Sequence, residues 1–96
     1  MPEQPMTYEV FAEHLHQRFT MQAADRDIEV ILTECQATQA EGGPAGFSLT
    51  FKAGPEAPIE QATYLLSAEG FGSAPIFLVP VRRLPDGLEY QAVFTN

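Results

Sequence analysis

His14 and His16 place two imidazoles within three residues, and with Cys35 they are the side chains of this 96-residue chain best suited to hold a metal or attack a carbonyl. Each chemistry sets a condition on spacing. On a helix, residues two apart diverge by about 200°, so the two imidazoles can share one ion only from an extended backbone, and His14 falls inside an amphipathic helix. Neither Glu13 nor a cysteine stands at a ligand spacing from them. Two polar residues near a helix end, where the dipole favours cations, is the plainer reading. Cys35 becomes a nucleophile only beside a base; a lone thiol packed as a small apolar residue in a strand is commoner.

The other candidates fail on similar grounds. Gly42-Gly43-Pro44-Ala45-Gly46 and Gly70-Phe71-Gly72 share glycine with phosphate loops. They lack the Lys-Ser/Thr pair that opens a helix, and Phe47 opens a strand instead. Acid–base catalysis by paired carboxylates needs a pocket that raises one pKa, whereas the 13 acids are spread along turns and polar strand positions. No set of nucleophile, base and oxyanion donor assembles. The chain therefore reads as a non-enzyme, with no catalytic residue, cofactor or metal expected.

Charge narrows the partners. Five cations against 13 acids leave −8, and only Arg82-Arg83 puts two cations side by side. Such a surface repels phosphate backbones and anionic lipid, so neither nucleic acid nor membrane is an expected partner. One cysteine cannot close an intrachain disulfide, which leaves the core to burial and suits a reducing cytoplasm. No apolar run approaches the roughly 18 residues of a membrane span, and MPEQPMTYEV lacks the pattern of a signal peptide. The expected location is cytoplasmic.

The elements that must position these residues follow from periodicity. The 45% apolar content with seven Phe and three Tyr predicts one folded domain over 1–96, with 1–6 a loose lead-in. Thr7 is a helix N-cap, Met6 and Phe11 have the spacing of a hydrophobic staple, and Phe11 and Leu15 share a face, predicting a short helix from Thr7 to His16. Twofold alternation then takes over, with Phe19 and Met21, Ile28 to Leu32, and Phe47 to Phe51 each marking a strand with one apolar face. The run Ala62–Ser67 carries Tyr64 and Leu66 on one face and Thr63 and Leu65 on the other. Turn-rich segments separate these runs, which indicates a mainly β chain: a small antiparallel barrel or roll of about six strands with one short N-terminal helix packed on it.

The last hairpin is predicted in register. Pro85-Asp86-Gly87 as a three-residue turn sets Leu84 opposite Leu88, Arg83 opposite Glu89 as an ion pair, and Val79 opposite Val93. Both faces are then apolar near the middle, and the Phe11 helix is the candidate cover for the second face. Pro80 belongs at an edge or a bulge, since it has no N–H to donate.

This order of elements resembles the DUF6916 family, small bacterial domains of unknown function. Its most specific parts are Phe77-Leu78-Val79-Pro80-Val81 and Tyr90-x-Ala92-Val93-Phe94. Where the family pattern often has His-Pro near the end of the fourth strand, this chain reads Ser67-Ala68-Glu69, so a role tied to that histidine would be absent. The resemblance implies no activity; its members look like companions of phage-tail-like or collar-domain proteins, which implies an accessory or assembly role.

The function expected is thus a non-catalytic structural or protein-interaction module, offering acidic surface, loop tips or a free edge near Pro80 to a protein partner or its own copy. The alternative is a small-ligand-binding barrel with an aromatic-lined pocket, although roughly eight strands just fill with side chains and six are narrower. Phe71, Tyr64 and Tyr90 are the candidate ligand or partner contacts, with a plug in the core as the favoured reading of Phe71.

Overall fold

From Phe47 to Ala53 every second residue is buried, and the same alternation runs through Phe19 and Met21, Ile28 to Leu32, Tyr64 and Leu66, and Ala74 to Leu78. Strands with one apolar face hide it by pairing side by side and curling the sheet inward. The computed structural model describes residues 7–23, 26–38 and 46–95. It contains α1 (Tyr8–Ala12), β1 (Arg18–Gln22), β2 (Asp27–Thr38), β3 (Gly46–Ala53), β4 (Ala62–Ala68), β5 (Gly72–Leu84) and β6 (Gly87–Thr95). The strands close into an antiparallel barrel in the order β1-β2-β3-β6-β5-β4.

The helix starts as its sequence demands and stops early. Thr7 caps it, Oγ1 accepting from the Val10 amide at 3.3 Å. After Ala12 the amides of His14 and Leu15 bond three residues back, and His16 turns to a positive φ of 70°. The His16 amide donates to the Leu32 carbonyl at 2.6 Å, which commits the chain to β1 before the helix reaches its expected end at His16. Met6, the expected staple, lies outside the described residues.

β2 runs on to Thr38, past the alternation expected from Ile28 to Leu32, because a bulge between Leu32 and Glu34 absorbs Thr33. Its hydroxyl donates to the Thr50 carbonyl at 3.1 Å. The bulge resets the alternation and brings Cys35 opposite the buried Leu49.

β5 changes partner midway. Gly72 to Leu78 pair with β4, and Val79 to Leu84 pair with β6. Pro75 and Pro80 each lie where the strand has a ladder on one side only, the place a residue without an N–H is tolerated. Pro80 does adjoin a bulge, between Pro80 and Arg82.

That bulge corrects the predicted hairpin. The turn has two residues, Pro85 and Asp86, so Leu84 faces Gly87, Arg83 faces Leu88, and Val79 faces Gln91. The ion pair is Arg82 with Glu89, 3.3 Å, rather than Arg83 with Glu89. The covering layer is also different. α1 packs against β2, because a closed barrel already supplies its own second layer. The outer apolar residues of the hairpin stay uncovered, with Phe77 51%, Val81 49% and Val93 67% exposed.

Two plugs close the barrel. At one end the Phe11 ring meets Phe47, Phe71 and Phe94 at centroid distances of 5.9, 5.3 and 5.7 Å. At the other, the connection from β3 to β4 crosses the opening. Buried Ala57 fills it, the Tyr90 hydroxyl donates to the Pro58 carbonyl, and the Tyr64 hydroxyl donates to the Glu60 carbonyl at 2.7 Å. Burial, with the neighbouring Tyr64, pushes the Tyr90 phenol from its ordinary 10.0 up to about 12. A raised folded-state value adds stability that is complete below the unfolded pKa and is lost as pH climbs through the folded one. The melting temperature is therefore expected to fall between pH 10 and about 12, and Tyr90→Phe to flatten that decline while removing about 1 kcal/mol at neutral pH. Thermal unfolding of both proteins across this range checks it.

Candidate functional site

The two histidines are parted. His14 is buried, 8% exposed, with its ring edge-on to Phe19 and Phe71 at 6.2 and 5.6 Å. Gln17 turns its amide nitrogen to the Glu69 carbonyl at 2.8 Å, which leaves Oε1 to accept from His14 Nδ1 at 2.7 Å. His14 is thus a strut from the first turn to the β4–β5 turn. His16 is exposed. Among the described residues no three His, Cys, Asp or Glu side chains gather at one point.

Cys35 sits half-buried against the core. Burial first, and Glu34 second, push its thiol above the ordinary value. Since the thiolate is the reacting form, iodoacetamide at neutral pH is expected to label Cys35 several-fold more slowly in the folded chain than in urea, as read by mass spectrometry. Equal rates would contradict this placement.

Phe71, Tyr64 and Tyr90, the three expected contact residues, are all buried, at 2, 8 and 0% exposure. Phe71 is the plug, packed between Phe11 and Phe19. Tyr64 and Tyr90 meet edge to face at 6.3 Å inside the opposite end. The interior they share is filled by side chains, and no buried side-chain nitrogen or oxygen among the described residues lacks a partner. Tyr64 alone of the three also borders an outside groove of about 730 Å³, which Gln22, Arg26, Glu60 and Thr63 line.

The surface outside the barrel is two-sided. Over β1, β2 and β3 the outward positions carry Arg18, Asp27, Glu29, Glu34 and Lys52. Arg18 meets Glu29 at 3.5 Å, and Lys52 meets Asp86 at 3.1 Å. Hydrogen bonding to Lys52 and its charge hold the Asp86 carboxyl below the ordinary range. Over β4, β5 and β6 the outward residues are uncharged as far as Val81. Thr63 lies opposite Phe77, Leu65 opposite Pro75 and Val79 opposite Gln91, with Leu65 41% exposed and Val93 beside them on β6. Sequence reasoning missed this face although its signal was present: from Gln61 to Val81 the only charged residue is Glu69, and Tyr90 to Asn96 has none. Alternation says which residues face out, but only closure of the barrel shows that these outward residues share one wall.

A family model described as "Domain of unknown function (DUF6916)" matches residues 6–94. No curated protein and no solved structure matches the chain.

Proposed function

We propose that this chain, which belongs to the DUF6916 family, is a non-catalytic interaction module that seats a protein partner on the uncharged wall of β4, β5 and β6. The observation that carries this reading is the exposure of Phe77, Val81, Val93 and Leu65 on that one wall, at 51, 49, 67 and 41%. Contiguous exposed apolar surface marks interaction sites, and interface cores are depleted in charge. An accessory role beside phage-tail-like or collar-domain proteins is part of the same proposal. A net charge of −8 supports a protein partner over nucleic acid. No helix among the described residues is long and apolar enough to cross a membrane, and a cytoplasmic location is part of the same proposal, supported by the single free thiol.

Because Phe77 is exposed, Phe77→Glu should leave the melting temperature nearly unchanged. Quantitative capture from a lysate of the source cells is expected to return partners that drop at least tenfold with Phe77→Glu and with Val93→Glu, but persist with Glu29→Lys on the opposite wall. Capture indifferent to Phe77 and Val93 would remove the proposal. The second reading, small-ligand binding, rests on the groove beside Tyr64. A thermal-shift screen of small acids and amides tests it, with hits abolished by Thr63→Trp supporting it and the absence of hits removing it.

A further inference from the structure

Resting on that reading, we infer that the uncharged wall seats a second copy of this chain, the two β5 strands running antiparallel about a twofold axis near Ile76. Three observations lead there.

Charge is the first. Two chains of −8 repel one another, and the wall of β4, β5 and β6 is where contact brings few acids together, because Gly70 to Val81 and Gln61 to Ala68 are uncharged and Glu89 of β6 is already paired with Arg82 beside the second cation, Arg83. The second is the distribution of charge at the two ends of that wall. Glu69 stands in the turn before β5, and Arg82 stands near its end. Ala68 pairs with Gly72, so Glu69 in the turn stands about five strand positions before Ile76; Arg82, six residues after Ile76 with one taken up by the bulge, stands five positions beyond it. An axis near Ile76 therefore superposes the acidic end of one copy on the basic end of the other, twice. Glu69 has no cation within 4 Å among the described residues. Arg82 meets Glu89 through Nε, its side chain still 66% exposed, so its guanidinium keeps donors for a second carboxylate. A face apolar at its centre and oppositely charged at its ends is self-complementary under a twofold axis, as an isologous contact requires.

The third is the apolar centre. Phe77 and Pro75 flank the axis, which lays Phe77 of each copy over Pro75 of the other, with Leu65 and Val93 on the neighbouring strands. Sheets stack face to face about 10 Å apart, the distance that side chains of this size fill. The area sets the strength. Three strands about 4.8 Å apart and some seven residues long make a face of roughly 300 Å² in projection, below the ~800 Å² per partner of tight complexes. The association is therefore weak, in the micromolar range or above, and shows itself as concentration rises.

Sedimentation velocity of the full chain from about 10 μM to about 1 mM tests it. The wild type is expected to shift from monomer towards dimer across that range. Phe77→Glu should weaken association at least a hundredfold. Glu69→Arg and Arg82→Glu should each weaken it several-fold, and the double exchange Glu69→Arg with Arg82→Glu should recover most of that loss, which unspecific stickiness would not do. Melting curves confirm that each variant folds. A wild type monomeric at ~1 mM overturns the inference, as does association that ignores Phe77 or is not rescued by the double exchange. A monomeric chain that still captures another protein through Phe77 overturns self-association alone and leaves the interaction module standing.

Discussion

Phe11→Ala is expected to lower the free energy of unfolding by about 3–5 kcal/mol, the cost of deleting a buried ring and leaving a cavity behind it. Phe11 is fully buried, and it is the one ring of α1 that touches the three rings Phe47, Phe71 and Phe94 at the barrel's end. Those rings come from β3, the β4–β5 turn and β6, so none can move into the space without pulling its strand. Against the roughly 5–14 kcal/mol that 0.05–0.15 kcal/mol per residue allows a chain of this size, the loss takes a large share of the total. Phe11→Leu keeps most of the volume and should cost under about 1.5 kcal/mol. Urea unfolding of the two variants measures both, and an alanine cost below about 1 kcal/mol would show that α1 is not the plug.

Gly87→Ala is expected to be comparably damaging, on the order of 3 kcal/mol, for a reason with nothing to do with burial of apolar area. A Cβ at Gly87 would overlap the carbonyl oxygen of Ala53 and lie 3.0 Å from its carbon and 3.2 Å from Gly54 Cα. All of these are backbone atoms, so no side chain can swing aside. Either the end of β3 separates from β6 or the two-residue turn opens. Gly72→Ala is the control. A methyl there meets nothing within 4 Å, but the φ of +90° is one that side chains rarely adopt, and its cost should stay near about 1–2 kcal/mol. If Gly87→Ala costs no more than Gly72→Ala, the contact with the end of β3 is relieved by small shifts and does not set the cost.

Gly87 also shows where sequence reasoning reaches its limit. A turn at Pro85-Asp86-Gly87 was legible, since proline and glycine punctuate the chain by their own conformational preferences. Its length was not, because a two-residue and a three-residue loop suit the same letters. The choice was made by β3, whose backbone leaves room only for a residue without a side chain. From that choice came the shift of the ion pair from Arg83 to Arg82. The bulge at Thr33 is similar. Alternation from Ile28 to Leu32 is visible in the letters, but a one-residue insertion into a ladder is visible only from the partner strand, and it decides that Cys35 faces the core.

The candidate site was less legible than the fold. Phe71 stood out between two glycines, with a plug in the core as its favoured reading, and Tyr64 and Tyr90 as strand aromatics that could line a pocket. Closure settled them: a narrow barrel needs large side chains at its two ends, and these three rings are among those that fill them. By contrast Phe77 sits in an unbroken apolar run, Ile76 to Val79, which reads as core from either face. Its exposure follows from the neighbours β5 takes, β4 and then β6, and from α1 packing on β2 instead.

The sequence by itself determined the strand class, the capped helix, the family and the surplus of acid, because period, capping and charge are properties of neighbouring residues. The tertiary structure decided which apolar residues are hidden. Alternation divides a strand into two faces but does not say what lies beyond each, and only the closed circuit of six strands makes one face the core and leaves the other, with Leu65, Phe77 and Val93, exposed.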